Sequence, residues 1–204
     1  MQFTFDEQTV SVFEALYGKD DREIDRQLDR YRESICKFNM LFGDSDEEVQ
    51  IFSTPGRTEI GGNHTDHNLG RVLAGGVNLD SIAVARPRDE NIIHCYSKGY
   101  EEPFIVELDK LEPIEAEQGT TNALMRGIAA RFVELGYNIG GFDAYIDSEV
   151  LPGSGLSSSA SIEVLLGTIL SYLYNDGEVS PQLLAKIGQY AENEFFGKPC
   201  GLMD

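Results

Sequence analysis

The sequence is poor in several features that mark particular protein classes. It has no tryptophan, three cysteines, three histidines, and 16 Lys and Arg residues against 35 Asp and Glu residues. The formal net charge of −19 at pH 7 disfavours binding to nucleic acid and to anionic lipid, since both depend on Lys and Arg. No apolar run approaches the ~18 residues of a membrane span, and the first ten residues do not resemble a signal peptide. We therefore predict no nucleic-acid partner and no membrane partner.

The cysteines show neither a disulfide framework nor a metal cluster. Cys36, Cys95 and Cys200 are far apart, odd in number and form no C-x-x-C pair. Free thiols are typical of reducing compartments, so we predict a cytoplasmic protein. The 204 residues, 41% of them hydrophobic, are enough for one large domain or two small ones.

The spacing of hydrophobic residues predicts a mixture of helices and strands. Helical spacing is found at residues 8–17, 20–41 and 121–135, after residue 157, and again after the N-cap residue Ser180. Runs of β-forming residues predict strands at 49–54, 72–78, 81–87, 91–97, 103–109 and 141–149. This order of elements predicts an α+β or α/β fold.

The segment GSGLSSSAS, residues 153–161, is the most informative local pattern. Its two glycines let the backbone approach a ligand, and its serines lead into a helix. Unpaired N–H groups at a helix start bind anions, so the segment is a candidate phosphate site, with a plain serine-capped loop as the alternative. A serine hydroxyl there is also suited to Mg²⁺, which prefers oxygen ligands. The segment matches neither a Walker A loop nor a Rossmann fingerprint.

The stretch PGRTEIGGNHTDHNLG, residues 55–70, holds two of the three histidines. A metal site, a polar turn and a pocket for a small polar molecule are the alternatives. The spacing of His64 and His67 suits one face of a helix, but the glycines around them argue against a helix, and no cysteine lies nearby. The sequence therefore disfavours a zinc site, and we do not expect His67 to be a ligand.

Three motifs occur in one order: PGRTEIGGNHTDH, GSGLSSSAS and, at residues 191–204, AENEFFGKPCGLMD. Together they resemble the sugar signature, the phosphate loop and the C-G-x-M-D element of the galactokinase family, within the GHMP small-molecule kinase superfamily. The resemblance covers about residues 28–204 and implies an α+β fold. That fold is the GHMP kinase N-terminal domain, ribosomal protein S5 domain 2-like, with a mixed sheet and packed helices. Residues 1–27 would then be an N-terminal helical extension.

The resemblance also implies a set of sugar contacts. These would be Asn63, His64, Thr65, Asp66, Gly201 and Asp204. His64 and Asp66 are two positions apart, so in an extended segment both side chains would point to one face and meet sugar hydroxyls. Asp204 would face the attacking hydroxyl, with Arg57 beside it and beside the γ-phosphate, and these two residues would be catalytic.

The same resemblance implies sites for ATP and Mg²⁺. Ser97 would contact the nucleotide, together with the residues of the phosphate loop, which are Gly153, Ser154, Gly155, Leu156, Ser157, Ser158 and Ser159. Ser159 and Glu192 would hold Mg²⁺. Glu192 borders the apolar stripe of its helix, which favours an inward-facing carboxylate.

The implied function is ATP-dependent phosphorylation of galactose, or a close sugar, at its anomeric hydroxyl, giving sugar 1-phosphate and ADP. One alternative is a non-catalytic sugar- and ATP-binding sensor. Such sensors resemble the family but lack the Ser-Ala pair after the loop serines, and here SSSAS is intact. The second alternative is a kinase for a different sugar. The sequence carries no signal for an oligomeric state.

The chain departs from the family pattern in three ways. Asn63 stands where the family has Glu, which bears on the choice of sugar because an amide donates as well as accepts. Thr121 and Leu124 occupy positions where the family stacks aromatic rings on adenine, so ATP would bind differently. Family members also continue for about as many residues again, so we expect an N-terminal fragment without the C-terminal domain. Such a fragment would be inactive alone and would have an apolar surface for the second domain.

Overall fold

A computed structural model describes residues 5–43, 45 and 47–203. The chain divides into two compact units, residues 1–45 and residues 46–204. The predicted boundary after residue 27 falls within a helix, and the assignment of residues 1–27 as an extension stays a prediction. Two residues of the predicted acidic loop at 44–48 lie outside the described part of the chain.

The first unit is a pair of helices, α1 (Glu7–Tyr17) and α2 (Asp21–Phe42). Asp20 caps α2 by accepting a hydrogen bond from the Arg22 N–H group at 3.0 Å. The two helices meet through aromatic rings: the hydroxyl oxygens of Tyr17 and Tyr31 lie 2.8 Å apart, and both side chains are buried. Both helices were predicted from the spacing of these apolar residues.

The second unit contains a five-stranded mixed sheet. Its strands are β1 (Gln50–Gly61), β2 (Leu73–Pro87), β3 (Ile92–Ser97), β4 (Phe104–Glu107) and β5 (Phe142–Ser148). Their order across the sheet is β1-β2-β5-β3-β4. The β3–β5 pair is parallel and the other three pairs are antiparallel. The predicted mixed sheet is therefore confirmed.

Two strand predictions were wrong in extent. The segments predicted as separate strands at 72–78 and 81–87 form the single strand β2. β1 continues to Gly61 instead of ending at residue 54, with irregular register between Pro55 and Arg57. β1 is an edge strand, where a proline is tolerated because one side of the strand makes no ladder bonds. The longer β1 places Arg57 on a strand instead of in a loop.

Two helices, α3 (Thr121–Glu134) and α4 (Ser158–Tyr174), pack against this sheet, and α5 (Pro181–Ala191) packs against those two helices. α5 continues into a π-helical turn, Glu192–Phe196. The shared core contains large, fully buried side chains from α3, β5 and α4, including Phe132, Phe142, Leu165, Leu166 and Ile169. Within the described chain, no helix has the length and apolar character needed to cross a bilayer.

The three cysteines are free, as predicted. Cys95 and Cys200 are buried and Cys36 is exposed. Burial raises the pKa of the Cys95 thiol, which keeps it protonated and unreactive. Cys200 is only 8% exposed, so its side chain is packed inside the protein.

Gly141 permits a close approach between backbone segments directly before β5. A Cβ atom on Gly141 would lie 1.9 Å from the Glu90 carbonyl oxygen and 2.7 Å from that of Ile92. Both atoms belong to the backbone, so the clash cannot be relieved by rotating a side chain. Gly141 directly precedes β5, and its own carbonyl oxygen accepts a hydrogen bond from the Arg88 N–H group at 2.9 Å.

We predict that Gly141→Ala lowers the free energy of unfolding by about 1–3 kcal/mol, the usual cost of overpacking. Urea unfolding followed by circular dichroism measures the change. Gly61→Ala is the control, because a Cβ on Gly61 meets no atom within 4 Å, and we expect a change within about 0.5 kcal/mol. Equal changes in the two variants would contradict the prediction.

Candidate active site

The loop between β5 and α4 presents the N-terminus of a helix to an open cavity. Gly153 and Gly155 have φ angles of 77° and 75°, which glycine adopts without strain. Ser157, at φ 59°, is also left-handed, and α4 begins at the next residue. Over the described residues, no side chain caps this helix start. Its first N–H groups, together with the helix dipole, form an anion site.

Arg57 connects this loop to the last described residues of the chain. Its backbone N–H donates to the Leu156 carbonyl at 3.0 Å. Its guanidinium donates through Nη1 to the Gly155 carbonyl at 3.1 Å and through Nε to the Met203 carbonyl at 2.5 Å. The planar guanidinium group of arginine carries several N–H donors, so it can bond to two separate carbonyl groups at once. Arg57 therefore holds a positive charge beside the anion site.

A cavity of about 310 Å³ lies in front of the helix start. Its wall combines the predicted phosphate loop with residues of the two other motifs. The lining includes Arg57, His64, Gly153, Ser158, Ser159 and Lys198. The structure thus brings together one residue or more from each of the three sequence motifs, although they are up to about 140 residues apart.

Ser159, which lines this cavity, lies within hydrogen-bonding distance of Glu192. The Ser159 hydroxyl donates to Glu192 Oε1 over 3.3 Å. Glu192 is only 2% exposed, so its inward orientation is confirmed. Lys198 Nζ lies 3.6 Å from the same Oε1 and supplies a positive charge that helps to balance the buried carboxylate.

The loop from Gly62 to Gly70 folds back on itself. The expectation of an extended segment for His64 and Asp66 is wrong, because Asn63 and His64 are left-handed and Asp66–Asn68 is a 3-10 turn. The loop is closed by the Gly70 N–H group, which donates to the Thr65 carbonyl at 2.8 Å. Small residues at both ends make this compact turn possible.

This compact turn gathers His64, Asp66 and His67. Each offers one ligand atom, and these atoms lie within 4.8 Å of one another. The glycines argued against a helix, and no α-helix forms in this loop, but a single 3-10 turn brings the two histidines to one side.

Asp66 is held in place by the segment that contains the third motif. Its Oδ2 accepts a hydrogen bond from the Met203 N–H group at 2.9 Å. This bond holds the pKa of Asp66 below its usual range, so the carboxylate is ionised at neutral pH. Oδ1 is buried and has no hydrogen-bond partner among the described residues, while His64 Nδ1 lies 3.8 Å away. A Cβ on Gly201 would lie 2.0 Å from Oδ2, so only glycine fits there.

Other predicted sugar contacts are placed less directly. Asn63 is exposed and does not belong to the cavity wall. The Thr65 hydroxyl donates to the Gly62 carbonyl at 2.8 Å and so serves the loop itself. Gly201 lies against Asp66 and is not part of the cavity wall. Asp204 lies outside the described residues.

A second cavity of about 440 Å³ shares Ser158 and Ser159 with the first. Its wall is more apolar and comes from α3, the sheet and the turn after β3. The lining includes Ser97, Tyr100, Phe104, Thr121, Leu124 and Met125. Ser97, predicted as a nucleotide contact, therefore lies in this second cavity beside the phosphate loop and not in the first.

Sequence reasoning missed Lys198, Tyr100 and Phe104 as cavity residues. Lys198 lies in the third motif, directly after Gly197, which ends the helix. That position could have marked Lys198 as a candidate cavity residue. No motif marks Tyr100, in the turn between β3 and β4, or Phe104, at the start of β4. Their rings pack edge to face, with centroids 5.3 Å apart.

Two family models match the chain. One, for the GHMP kinases N-terminal domain, matches residues 122–204, and the other, the galactokinase galactose-binding signature, matches residues 36–87. Galactokinases from Streptococcus thermophilus and Clostridium tetani are 39% and 32% identical over 82% of this chain. The chain covers 43% and 42% of those two proteins, so it spans less than half of their length.

Solved structures give the same result. The galactokinase of Lactococcus lactis, solved in complex with galactose, is 33% identical with a TM-score of 0.75, over 82% of this chain and 43% of that one. A mevalonate kinase from Methanococcus jannaschii, 22% identical with a TM-score of 0.64 over 78% of this chain and 50% of that one, shares the fold. The predicted fold and the predicted resemblance are confirmed. Residues 122–204 match the GHMP kinases N-terminal domain, and the chain is similar to the N-terminal part of galactokinases.

Proposed function

We propose that the protein carrying this chain is an ATP-dependent kinase that phosphorylates galactose, or a close sugar, at the anomeric hydroxyl. The products would be sugar 1-phosphate and ADP. The observation that carries the proposal is the first cavity, where an uncapped helix start, Arg57 and His64 face one space. The matching galactokinases support the substrate class.

The phosphate loop would bind the phosphates of ATP. Backbone N–H groups from Gly153 to Ser159 and the positive end of α4 would receive the phosphate oxygens. Arg57 and Lys198, which line the same cavity, would stabilise the charge of the transferring phosphoryl group. These local positive groups are needed because the chain as a whole carries a charge of −19.

Ser159 and Glu192 would hold Mg²⁺. A hydroxyl and a buried carboxylate 3.3 Å apart form an all-oxygen donor pair, which fits the preference of Mg²⁺. When bound, Mg²⁺ neutralises negative charge on the phosphate oxygens during transfer. The bond from Ser159 keeps the Glu192 carboxylate aimed at the loop.

His64 and Asp66 would contact sugar hydroxyls, with Asn63, Thr65 and Gly201 completing the contact surface. Asp66 supports this role because its Oδ1 is buried and has no partner within the described chain. A buried carboxylate oxygen is normally hydrogen-bonded, and a sugar hydroxyl would supply the missing donor. The bond from Met203 keeps Asp66 ionised, so it acts as an acceptor.

Asp204 would orient the anomeric hydroxyl and accept its proton during transfer. Arg57 already bonds the carbonyl of Met203, the residue before Asp204. This contact supports the role of Arg57 beside the reacting groups, although Asp204 itself is not among the described residues.

The second cavity would receive the adenine base. It adjoins the phosphate loop at Ser158 and Ser159 and offers a mostly apolar wall. Thr121 and Leu124, which replace the aromatic residues expected from the family, both line it. Tyr100 and Phe104 line the same cavity and would supply aromatic contacts in their place.

We predict that the full-length protein releases ADP from Mg²⁺ and ATP when galactose or a close sugar is supplied. Arg57→Met and Asp204→Asn should each lower kcat by about 10²–10⁴-fold, as expected when charge stabilisation or proton transfer is lost. Arg71→Met is the matched control, since Arg71 is exposed and outside the cavity wall.

A change below about threefold in both site variants would refute these assignments, because catalytic groups of this kind contribute far more. Sugar binding without turnover for any sugar of the panel would instead favour the non-catalytic sensor. Turnover with a sugar other than galactose would correct the substrate and leave the reaction class standing.

We also predict that Asn63 sets the choice of sugar. Asn63→Glu, which restores the carboxylate of the family pattern, should raise the preference for galactose over the next-best sugar by about tenfold, the value of one charge-assisted hydrogen bond. The measurement is the ratio of kcat/KM values. Asn68→Glu adds the same charge to the same loop and serves as the control. An unchanged ratio in Asn63→Glu, or an equal shift in both variants, would contradict the prediction.

A further inference from the structure

The turn that carries His64, Asp66 and His67 has a second chemical capability. One ligand atom from each of the three side chains lies within 4.8 Å of the other two. The His64 and His67 rings are 6.1 Å apart between centroids. The 3-10 turn at Asp66–Asn68 and the left-handed His64 produce this convergence, which no extended segment allows.

Asp66 is prepared to act as a monodentate ligand. Met203 occupies its Oδ2 through a hydrogen bond of 2.9 Å, which fixes the carboxylate and leaves Oδ1 directed towards His64 Nδ1 at 3.8 Å. Oδ1 is buried and has no hydrogen-bond partner among the described residues. The Asp66 side chain is only 11% exposed. A buried carboxylate oxygen without a hydrogen bond costs free energy, and binding to a cation would offset that cost.

The two histidines leave the site open to solvent. The His64 side chain is 43% exposed and His67 is exposed, so an ion can reach both rings. The ligand atoms lie within 4.8 Å of one another, and small movements of the exposed histidine side chains would bring them to one ion. The Asn68 amide lies 2.8 Å from His67 Nε2, and a flip of that amide would present its oxygen to a ring N–H there and leave Nδ1 for the ion.

The donor set selects the kind of metal. Two imidazoles and one carboxylate suit Zn²⁺ and neighbouring divalent transition metals, whereas Mg²⁺ and Ca²⁺ prefer oxygen donors alone. Three protein ligands with open positions form the kind of site that keeps solvent or a substrate atom on the ion. The Ser159–Glu192 pair has only oxygen donors, so the two sites differ in chemistry.

We propose that His64, Asp66 and His67 bind one divalent transition metal ion of the Zn²⁺ class, with the remaining coordination positions open. This site goes beyond the kinase function and does not depend on it. A metal bound there occupies His64 and Asp66, so it excludes any sugar that uses the same two side chains. The ion would then act as an inhibitor of sugar binding.

The test is metal binding by the full chain without nucleotide or sugar. Zn²⁺ titration calorimetry gives the dissociation constant and the stoichiometry, and Co²⁺ gives visible absorption bands that report nitrogen and oxygen coordination. We expect one ion per chain. His67→Gln should weaken binding by more than about tenfold, because losing a ligand costs at least as much as losing a group that supports one.

His94→Gln is the matched control, since His94 is the third histidine and lies on β3 outside the cluster. It should bind metal as the unchanged chain does, and thermal melting without metal checks that both variants fold. The proposal is overturned if the unchanged chain binds no Zn²⁺ or Co²⁺. It is also overturned if His67→Gln binds as tightly as the unchanged chain, or if both variants lose affinity equally.

Discussion

The site depends on the hydrogen bonds of one arginine. Arg57, on the edge strand β1, donates to the carbonyl oxygens of Gly155 and Met203, and its backbone donates to Leu156. The phosphate loop and the last described segment are thereby fixed to the same strand. That segment in turn fixes Asp66 through the Met203 N–H group. One cation thus organises the loops around the first cavity and also supplies positive charge inside it.

Local electrostatics here oppose the overall charge. A chain with a net charge of −19 repels anions at long range, so an anion site needs concentrated donors. The structure provides them as the uncapped start of α4, Arg57 and Lys198 around one cavity. Glu192 is buried beside these groups. Lys198 and the Ser159 hydroxyl lie next to its carboxylate and stabilise the buried negative charge.

Much of the fold could be predicted from local patterns. The helices and strands were largely where periodicity placed them, and the left-handed Gly153 and Gly155 fit the predicted loop. The errors fell where tertiary pairing overrode local signals. Pro55 marked an expected strand end, yet pairing with β2 carries β1 on to Gly61. The glycines around His64 argued against a helix, and none forms there, but hydrogen bonds inside the loop close a single 3-10 turn at Asp66 that the sequence did not predict.

The sequence by itself determined three motifs, a loop rich in Gly and Ser ahead of a helix, and a Gly-rich stretch with two of the three histidines. Those features are local, because glycine, serine and charged side chains have the same conformational and chemical preferences wherever they stand. Only the tertiary structure decided which of them meet. Arg57 reaches Met203 and Ser159 reaches Glu192 because sheet pairing and helix packing bring distant segments within hydrogen-bond range. The gathering of His64, Asp66 and His67 was likewise decided by backbone hydrogen bonds and left-handed residues, which residue spacing does not reveal.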